Sequence, residues 1–243
     1  MCCVSSPSPS DSLDLRSAIP GTWALVLAMV GVHIGTGLYE WWCGFESLSD
    51  ALFLGRDVRF RTAAGGQHAD LIWKGEAFRL WTSVFLHTSG LHLIVNAVAV
   101  YGLGRIVEPW IGARRTVSWF VLGGVLASVM SWLGPPVLSD GASGGAFALL
   151  GVLAVLASER RSRMEVRDAQ ILGPWLWAMI VLNLILSVGV PALDAVAHLT
   201  GLIVGILLGA ILGRRDPLLA RVLDQLLLIS VFFMGYWCWV VEF

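Results

Sequence analysis

An all-α, polytopic membrane bundle of seven transmembrane helices is the fold this sequence predicts, and three observations carry it. The chain of 243 residues is 57% hydrophobic and only 14% charged, where soluble domains run at roughly 45–50% apolar and about 25% charged. Its mean hydropathy is +0.77. Seven separate apolar segments come near the length of about 20 residues that a helix needs to cross a bilayer. The short connections between them alternate between arginine-bearing and free of Lys and Arg, the charge asymmetry of a multi-span protein.

The segments, taken in order, are Pro20–Trp42, His92–Ile111, Thr116–Leu133, Ser143–Ala157, Leu172–Val190, Leu193–Leu212 and Val222–Val241. The fourth is short for a span. Residues 1–19 are rich in Ser and Pro and read as a disordered tail. No basic stretch with a small-residue cleavage site stands out there, so the first segment reads as a retained span. Gly134-Pro135-Pro136 ends the third segment, Gly173-Pro174 opens the fifth and Pro191 separates the fifth from the sixth. The one long connection, 43–90, mixes polar residues with apolar stretches such as Leu80–Leu86 and reads as lying partly in the membrane interface. The expected organisation is thus a tail (1–19), a six-helix core (20–213) that includes the 43–90 connection, and a C-terminal seventh helix (214–243).

Orientation follows from the arginines. Arg105, Arg114 and Arg115 flank the second connection, Arg160, Arg161, Arg163 and Arg167 fill the fourth, and Arg214, Arg215 and Arg221 the sixth. The positive-inside rule makes these loops cytoplasmic, with the N-terminus inside and the C-terminus outside. Arg56, Arg59, Arg61, Lys74 and Arg79 lie in the long connection, which the rule does not govern. A net charge of −1 and no basic run exclude a nucleic-acid binder. Cys2, Cys3, Cys43 and Cys238 have neither paired nor metal-ligand spacing, and His-Glu-x-x-His is absent.

In this topology segments two, four and six all enter from the outer face. Their first two turns carry His92 and Asn96, Ser143, and His198 respectively. At 1.5 Å per residue these polar groups share a layer within roughly 10 Å of the boundary. Lipid solvates none of them well, so each needs a reason.

Ser143 sits in Gly141-Ala142-Ser143-Gly144-Gly145, a G-x-S-x-G pattern. The residues before it, Gly134-Pro135-Pro136-Val137-Leu138-Ser139-Asp140, do not read as a strand, so the nucleophile elbow of a soluble hydrolase is excluded. Two readings of the motif stand: a small-residue packing face between helices, or a nucleophile at a helix start whose free N–H groups face a developing oxyanion. His198, followed by Gly201, Gly205 and Gly209 within about 60° of it on the helix, favours the second. That glycine stripe carries the imidazole toward a neighbouring backbone. His92 and Asn96, four apart on one face, can both donate to an anionic oxygen. Asp194 reads as a solvated helix-start carboxylate, His33 as packing and His68 as solvated, and His87 either orders water or the loop.

The run Gly75-Glu76-Ala77-Phe78-Arg79-Leu80-Trp81-Thr82-Ser83-Val84-Phe85-Leu86-His87, then Leu91-His92-Leu93-Ile94-Val95-Asn96 and Tyr101-Gly102-Leu103-Gly104, resembles the rhomboid intramembrane serine proteases. The glycine-flanked Ser143 and Ala197-His198-x-x-Gly201-x-x-x-Gly205 resemble that family's two catalytic motifs, and the likeness covers about residues 75–213 in order. It implies a rhomboid-like fold with six core helices and one more at the C-terminus. It implies Ser143 as nucleophile, His198 as its base, and His92 and Asn96 as oxyanion donors. Phe147 would be the aromatic packed on the histidine, where many members have tyrosine, and Gly141, Gly144, Gly201 and Gly205 the helix-contact glycines. Phe78 stands where tryptophan is common, and Thr200 where a small residue is usual. The resemblance implies transmembrane protein substrates cut near the outer face of the lipid bilayer and no cofactor or metal; the compact core with a short N-terminal tail points to a bacterial plasma membrane. The alternative it leaves is a catalytically silent rhomboid-like protein that binds membrane clients.

Overall fold

The computed structural model describes residues 18–44, 47–134, 139–159 and 193–213, with isolated positions at 178, 180, 181, 185, 189 and 225. Apart from those positions, the expected fifth and seventh spans, the tail up to residue 17, and the arginines at 160–167 and 214–221 lie outside the described residues. In chain order the helices are α1 (Pro20–Trp42), α2 (Leu48–Phe53), α3 (Val58–Ala63), α4 (Ala69–Trp73), α5 (Arg79–Thr82), α6 (Gly90–Ile111), α7 (Ala113–Leu133), α8 (Ser143–Glu159) and α9 (Ala195–Gly213). No strand occurs among the described residues. Of these, α1, α6 and α7 are long and apolar enough to cross a membrane, and α8 and α9 contain shorter apolar stretches.

The helix at the centre is α8. Every residue from Gly144 to Leu153 is buried, as expected of a helix that is apolar all round. By contrast α1 leaves Trp23, Leu27, Ile34 and Leu38 exposed, a lipid-facing side. With its flanks enclosed by α6, α7 and α9, α8 can meet water only through its ends.

Contact between α8 and α9 is made by glycine on backbone. A Cβ built on Gly201 would run into the carbonyl oxygen of Gly144, one on Gly205 into that of Ala148, and one on Gly209 would come within 2.9 Å of Val155. The partner numbers rise together along both helices, so α8 and α9 are parallel. Their N-termini therefore lie at the same end of the bundle. Close approach of this kind is how membrane helices associate when the hydrophobic effect gives no drive between them.

α1 starts on a carboxylate from another helix. Glu108 of α6 accepts from Gly21 N (2.9 Å), Thr22 N (2.6 Å) and Thr22 Oγ1 (2.5 Å), all buried. These are amides with no partner inside α1, and the negative charge complements the positive end of its dipole. Gly112, at φ 85°, turns α6 directly into α7, a backbone region only glycine enters freely.

The connection from α1 to α6 is not an irregular loop but four short helices, α2 to α5. Leu80, Val84 and Leu86 are buried against the bundle, while Phe53, Leu54, Val58 and Trp73 are exposed. The apolar stretch at 80–86 thus belongs to the core, and the surface apolar groups sit earlier in the connection. Buried cations hold it: Arg79 Nη1 donates to Thr62 O and to Gly66 O (3.0 Å), and Arg56 Nη2 donates to His33 O (2.6 Å).

Glycine at 205 has no room for a methyl, whereas Gly31, exposed on α1, has nothing within 4 Å of its would-be Cβ. Gly205→Ala is expected to destabilise the protein by about 1–3 kcal/mol through overpacking. Gly31→Ala should be neutral or stabilise by up to about 1 kcal/mol. Thermal unfolding of the two purified variants in one detergent checks the contrast; equal midpoints would refute the tight α8–α9 contact.

Candidate active site

Three helix N-termini converge at one end of the bundle. The start of α6 is capped by Ser89, whose Oγ accepts from His92 N (3.2 Å). The start of α9 is capped by Asp194, whose Oδ1 accepts from Ala197 N (2.9 Å) while its other oxygen accepts from Ser131 Oγ of α7. Asp194 is therefore a half-buried helix cap tied to α7, not a solvated carboxylate, because its position places the chain-crossing Ser131 hydroxyl within reach. The start of α8 is Ser143, preceded by a short strap, residues 139–142.

Gly141 is the hinge of that strap. Its φ is +132°, a conformation that L side chains rarely adopt. Its N–H donates to Ser83 O (2.9 Å). A Cβ there would lie 2.8 Å from His92 Cε1, 3.0 Å from its Nε2 and 3.8 Å from Asn96 Nδ2. Glycine is needed twice over, for the dihedral and for the space. Gly141 thus faces α6 rather than α9, and it is what brings the strap against His92 and Asn96.

On the other side, one turn into α8, the Phe147 ring stacks on His198 of α9 with centroids 4.4 Å apart and planes 12° from parallel. The stack fixes the plane of the imidazole. Gly144 and Gly201 make the backbone contact immediately beside it. Ser143 lies four residues before Phe147, so the two share a face of α8. A small cavity of about 10 Å³, room for roughly one water, is lined by Ser83, Ser128, Gly141, Ser143, Gly144 and Ala197, among others. His198 is buried and Ser143 half-buried.

Within α6, Asn96 Nδ2 donates to His92 O (3.0 Å), and His92 Nδ1 is 3.1 Å from Thr88 Oγ1. Behind His92 lies His87, ring centroids 5.3 Å apart and edge to face, and beyond it His33 of α1 at 6.5 Å. His87 Nδ1 donates to Phe85 O (3.1 Å), so its Nε2 carries a lone pair. His33 Nε2 donates to Leu52 O (2.9 Å), which makes it more than packing: it ties α1 to the end of α2. His68, expected to be solvated, is half-buried at the start of α4. Among the described residues no three His, Cys, Asp or Glu side chains converge closely enough to hold a metal ion.

Sequence reasoning missed Asp140, Arg61, Gln67, Ser83 and Ser128. Asp140 Oδ2 accepts from Arg61 Nε (2.9 Å) and Nη2 (2.6 Å), and Oδ1 accepts from Gln67 N (2.9 Å). Gln67 Nε2 donates to Ser128 O (3.0 Å), and the Ser83 and Ser128 hydroxyls are 3.2 Å apart. The one signal available was an acidic residue directly before a glycine-rich helix start.

A rhomboid domain match spans residues 74–215. The chain is 33% identical over 171 residues to Rhomboid protease GluP of Bacillus subtilis (strain 168), which covers 70% of this chain and 33% of that protein. It is 28% identical over 234 residues to RHOMBOID-like protein 5 of Arabidopsis thaliana, covering 86% and 74%. It is also 30% identical over 136 residues to Inactive rhomboid protein 2 of Homo sapiens, covering 54% and 15%. With more than half of its length matched, the chain belongs to the rhomboid family, and with its apolar helices it is an integral membrane protein.

Burial, reinforced by the charges of His92 and His33, pushes the His87 pKa down to about 3 from 6.5. The unfolded chain takes up a proton near pH 6.5 that the folded chain refuses until about pH 3. His87 therefore contributes acid lability: stability is full above pH 6.5 and is lost as pH falls below it. Thermal unfolding between pH 4 and 8 should show this slope in the native chain and a shallower one in His87→Gln. An identical slope in both would show that His87 takes up its proton in the fold as readily as in the unfolded chain.

Proposed function

We propose that this chain is an intramembrane serine endopeptidase acting through a Ser143–His198 dyad. In this reading Ser143 Oγ attacks a peptide carbonyl of a transmembrane protein substrate while His198 takes the hydroxyl proton. The oxygen of the tetrahedral intermediate is held by His92, Asn96 and the N–H of Ser143, an amide that α8 itself leaves unpaired. His198 then returns the proton to the leaving amine, and water resolves the acyl-enzyme. The observation that carries the reading is the Phe147–His198 stack. It orients an imidazole at the end of the bundle where Ser143 begins its helix and where Gly141 brings in His92 and Asn96.

Cleavage near the outer face follows from the inferred orientation, with the N-terminus cytoplasmic, the C-terminus outside and a bacterial plasma membrane as the setting. A substrate helix must unwind locally before attack, because its carbonyls are otherwise hydrogen-bonded along the helix. Phe147 serves as the aromatic that packs on the base, and Gly144, Gly201 and Gly205 as the residues that let α9 approach. A second reading, a silent protein that binds membrane clients, is supported by the similarity to Inactive rhomboid protein 2.

The test is cleavage of a single-span substrate by the full chain reconstituted in liposomes. Ser143→Ala is expected to abolish turnover, and His92→Ala or Asn96→Ala to lower it by about 10²–10³-fold, the cost of losing an oxyanion donor elsewhere. A fluorophosphonate probe should label Ser143 in the native chain and not in His198→Ala. Undiminished cleavage by Ser143→Ala would refute the protease reading; client binding with no labelling at all would favour the silent one.

A further inference from the structure

We propose that Asp140 is a positioning residue, and that its ion pair with Arg61 makes the α1–α6 connection the template on which the strap before Ser143 is held. The proposal rests on the reading of Ser143 and His92 given above. Three hydrogen bonds cover both carboxylate oxygens: two from the Arg61 guanidinium at 2.9 and 2.6 Å, and one from Gln67 N at 2.9 Å. The partners lie 79 residues apart in the chain. Their side chains are 2% and 14% exposed, so this is a desolvated pair and not one of the surface pairs that contribute little.

The strap is gripped at consecutive residues. Asp140 holds α3 and the turn at Gln67, and the Gly141 N–H donates to Ser83 O just after α5 (2.9 Å). The opposite side of Gly141 lies against the His92 imidazole. Ser143 follows two residues later. A shift of the strap therefore moves the nucleophile and changes the clearance around an oxyanion donor together. Charge points the same way. A lone carboxylate three residues before Ser143 would oppose a developing oxyanion, and the guanidinium of Arg61 neutralises it. Asp140 touches neither the substrate nor the reacting atoms in this arrangement; it acts through Gly141.

The experiment uses the full chain with Asp140→Asn, Arg61→Gln and the double variant Asp140→Asn/Arg61→Gln. The amide introduced by Asp140→Asn keeps an oxygen for Gln67 N–H, but leaves the guanidinium buried without a counter-charge. The double variant restores a neutral pair. Misplacement of a reacting group by about 1 Å costs roughly 10²-fold, so each single variant is expected to lose about 10–100-fold in kcat with KM within about twofold, and the double variant to recover most of it. Hydrogen exchange supplies a readout free of catalysis, carried out in the Ser143→Ala background. Adding Asp140→Asn should speed exchange in peptides covering residues 139–146 by about tenfold or more while α1 and the rest of α6 keep their protection. Ser143-dependent cleavage with an unchanged kcat in Asp140→Asn would overturn the proposal, and so would exchange that is unaltered or raised evenly across all helices. A native chain with no Ser143-dependent cleavage would sink the protease reading alone, and the exchange result would still decide the strap.

Discussion

The closeness of α8 and α9 is the constraint from which the rest of the site follows. Two parallel helices touch through Gly201 and Gly205 on the carbonyls of Gly144 and Ala148. At that separation no side chain fits between them at the contact, and side chains just beyond it are forced into register. Phe147 lies flat on His198 because the backbones are already that near. Were α9 held off by even one methyl layer, the imidazole would lose the surface that defines its plane. In a bilayer this contact cannot rely on expelling water, so it relies on packing detail, and packing detail is what glycine provides.

Enclosure of α8 has the complementary effect. Because Gly144 to Leu153 are buried on all sides, α8 itself can offer polar side chains only near its ends. The N-termini of α6, α8 and α9 gather at one such end. Ser89 and Asp194 cap the starts of α6 and α9, so the open start of α8 is the one whose amides and dipole favour negative charge. In the proposed reading an oxyanion would lie in that field, and His92 and Asn96 would add donors to it.

The connection between α1 and α6 then decides how firmly that end is built. Its buried arginines each close several hydrogen bonds: Arg79 with Thr62 and Gly66, Arg56 with Ala51, Thr36 and His33, and Arg61 with Asp140. A buried cation without such partners would be costly. With them, four short helices that could not stand alone become a rigid collar around the strap. Glu108 does the equivalent at the other end of α6, where its carboxylate caps the start of α1. Polar residues in this protein hold the apolar helices at fixed angles.

Residue type, spacing and hydropathy were enough to read an all-helical membrane protein from the sequence, to bound α1 at Pro20–Trp42, and to single out Ser143, His198, His92 and Asn96 as polar groups at helix starts. Those signals are local: apolar run length, a glycine stripe at helical spacing, and the rarity of imidazole and hydroxyl in lipid. Tertiary structure alone decided that the 43–90 connection is four helices and that Gly141 faces His92. It alone tied Asp194 to Ser131 and joined Asp140 to Arg61 across 79 residues. Short helices carry too little periodicity to be told from loop, and an ion pair between distant residues leaves no trace in the spacing of either. Each of these features depends on which surfaces the long helices bring together, and that is settled only when α8 has been enclosed.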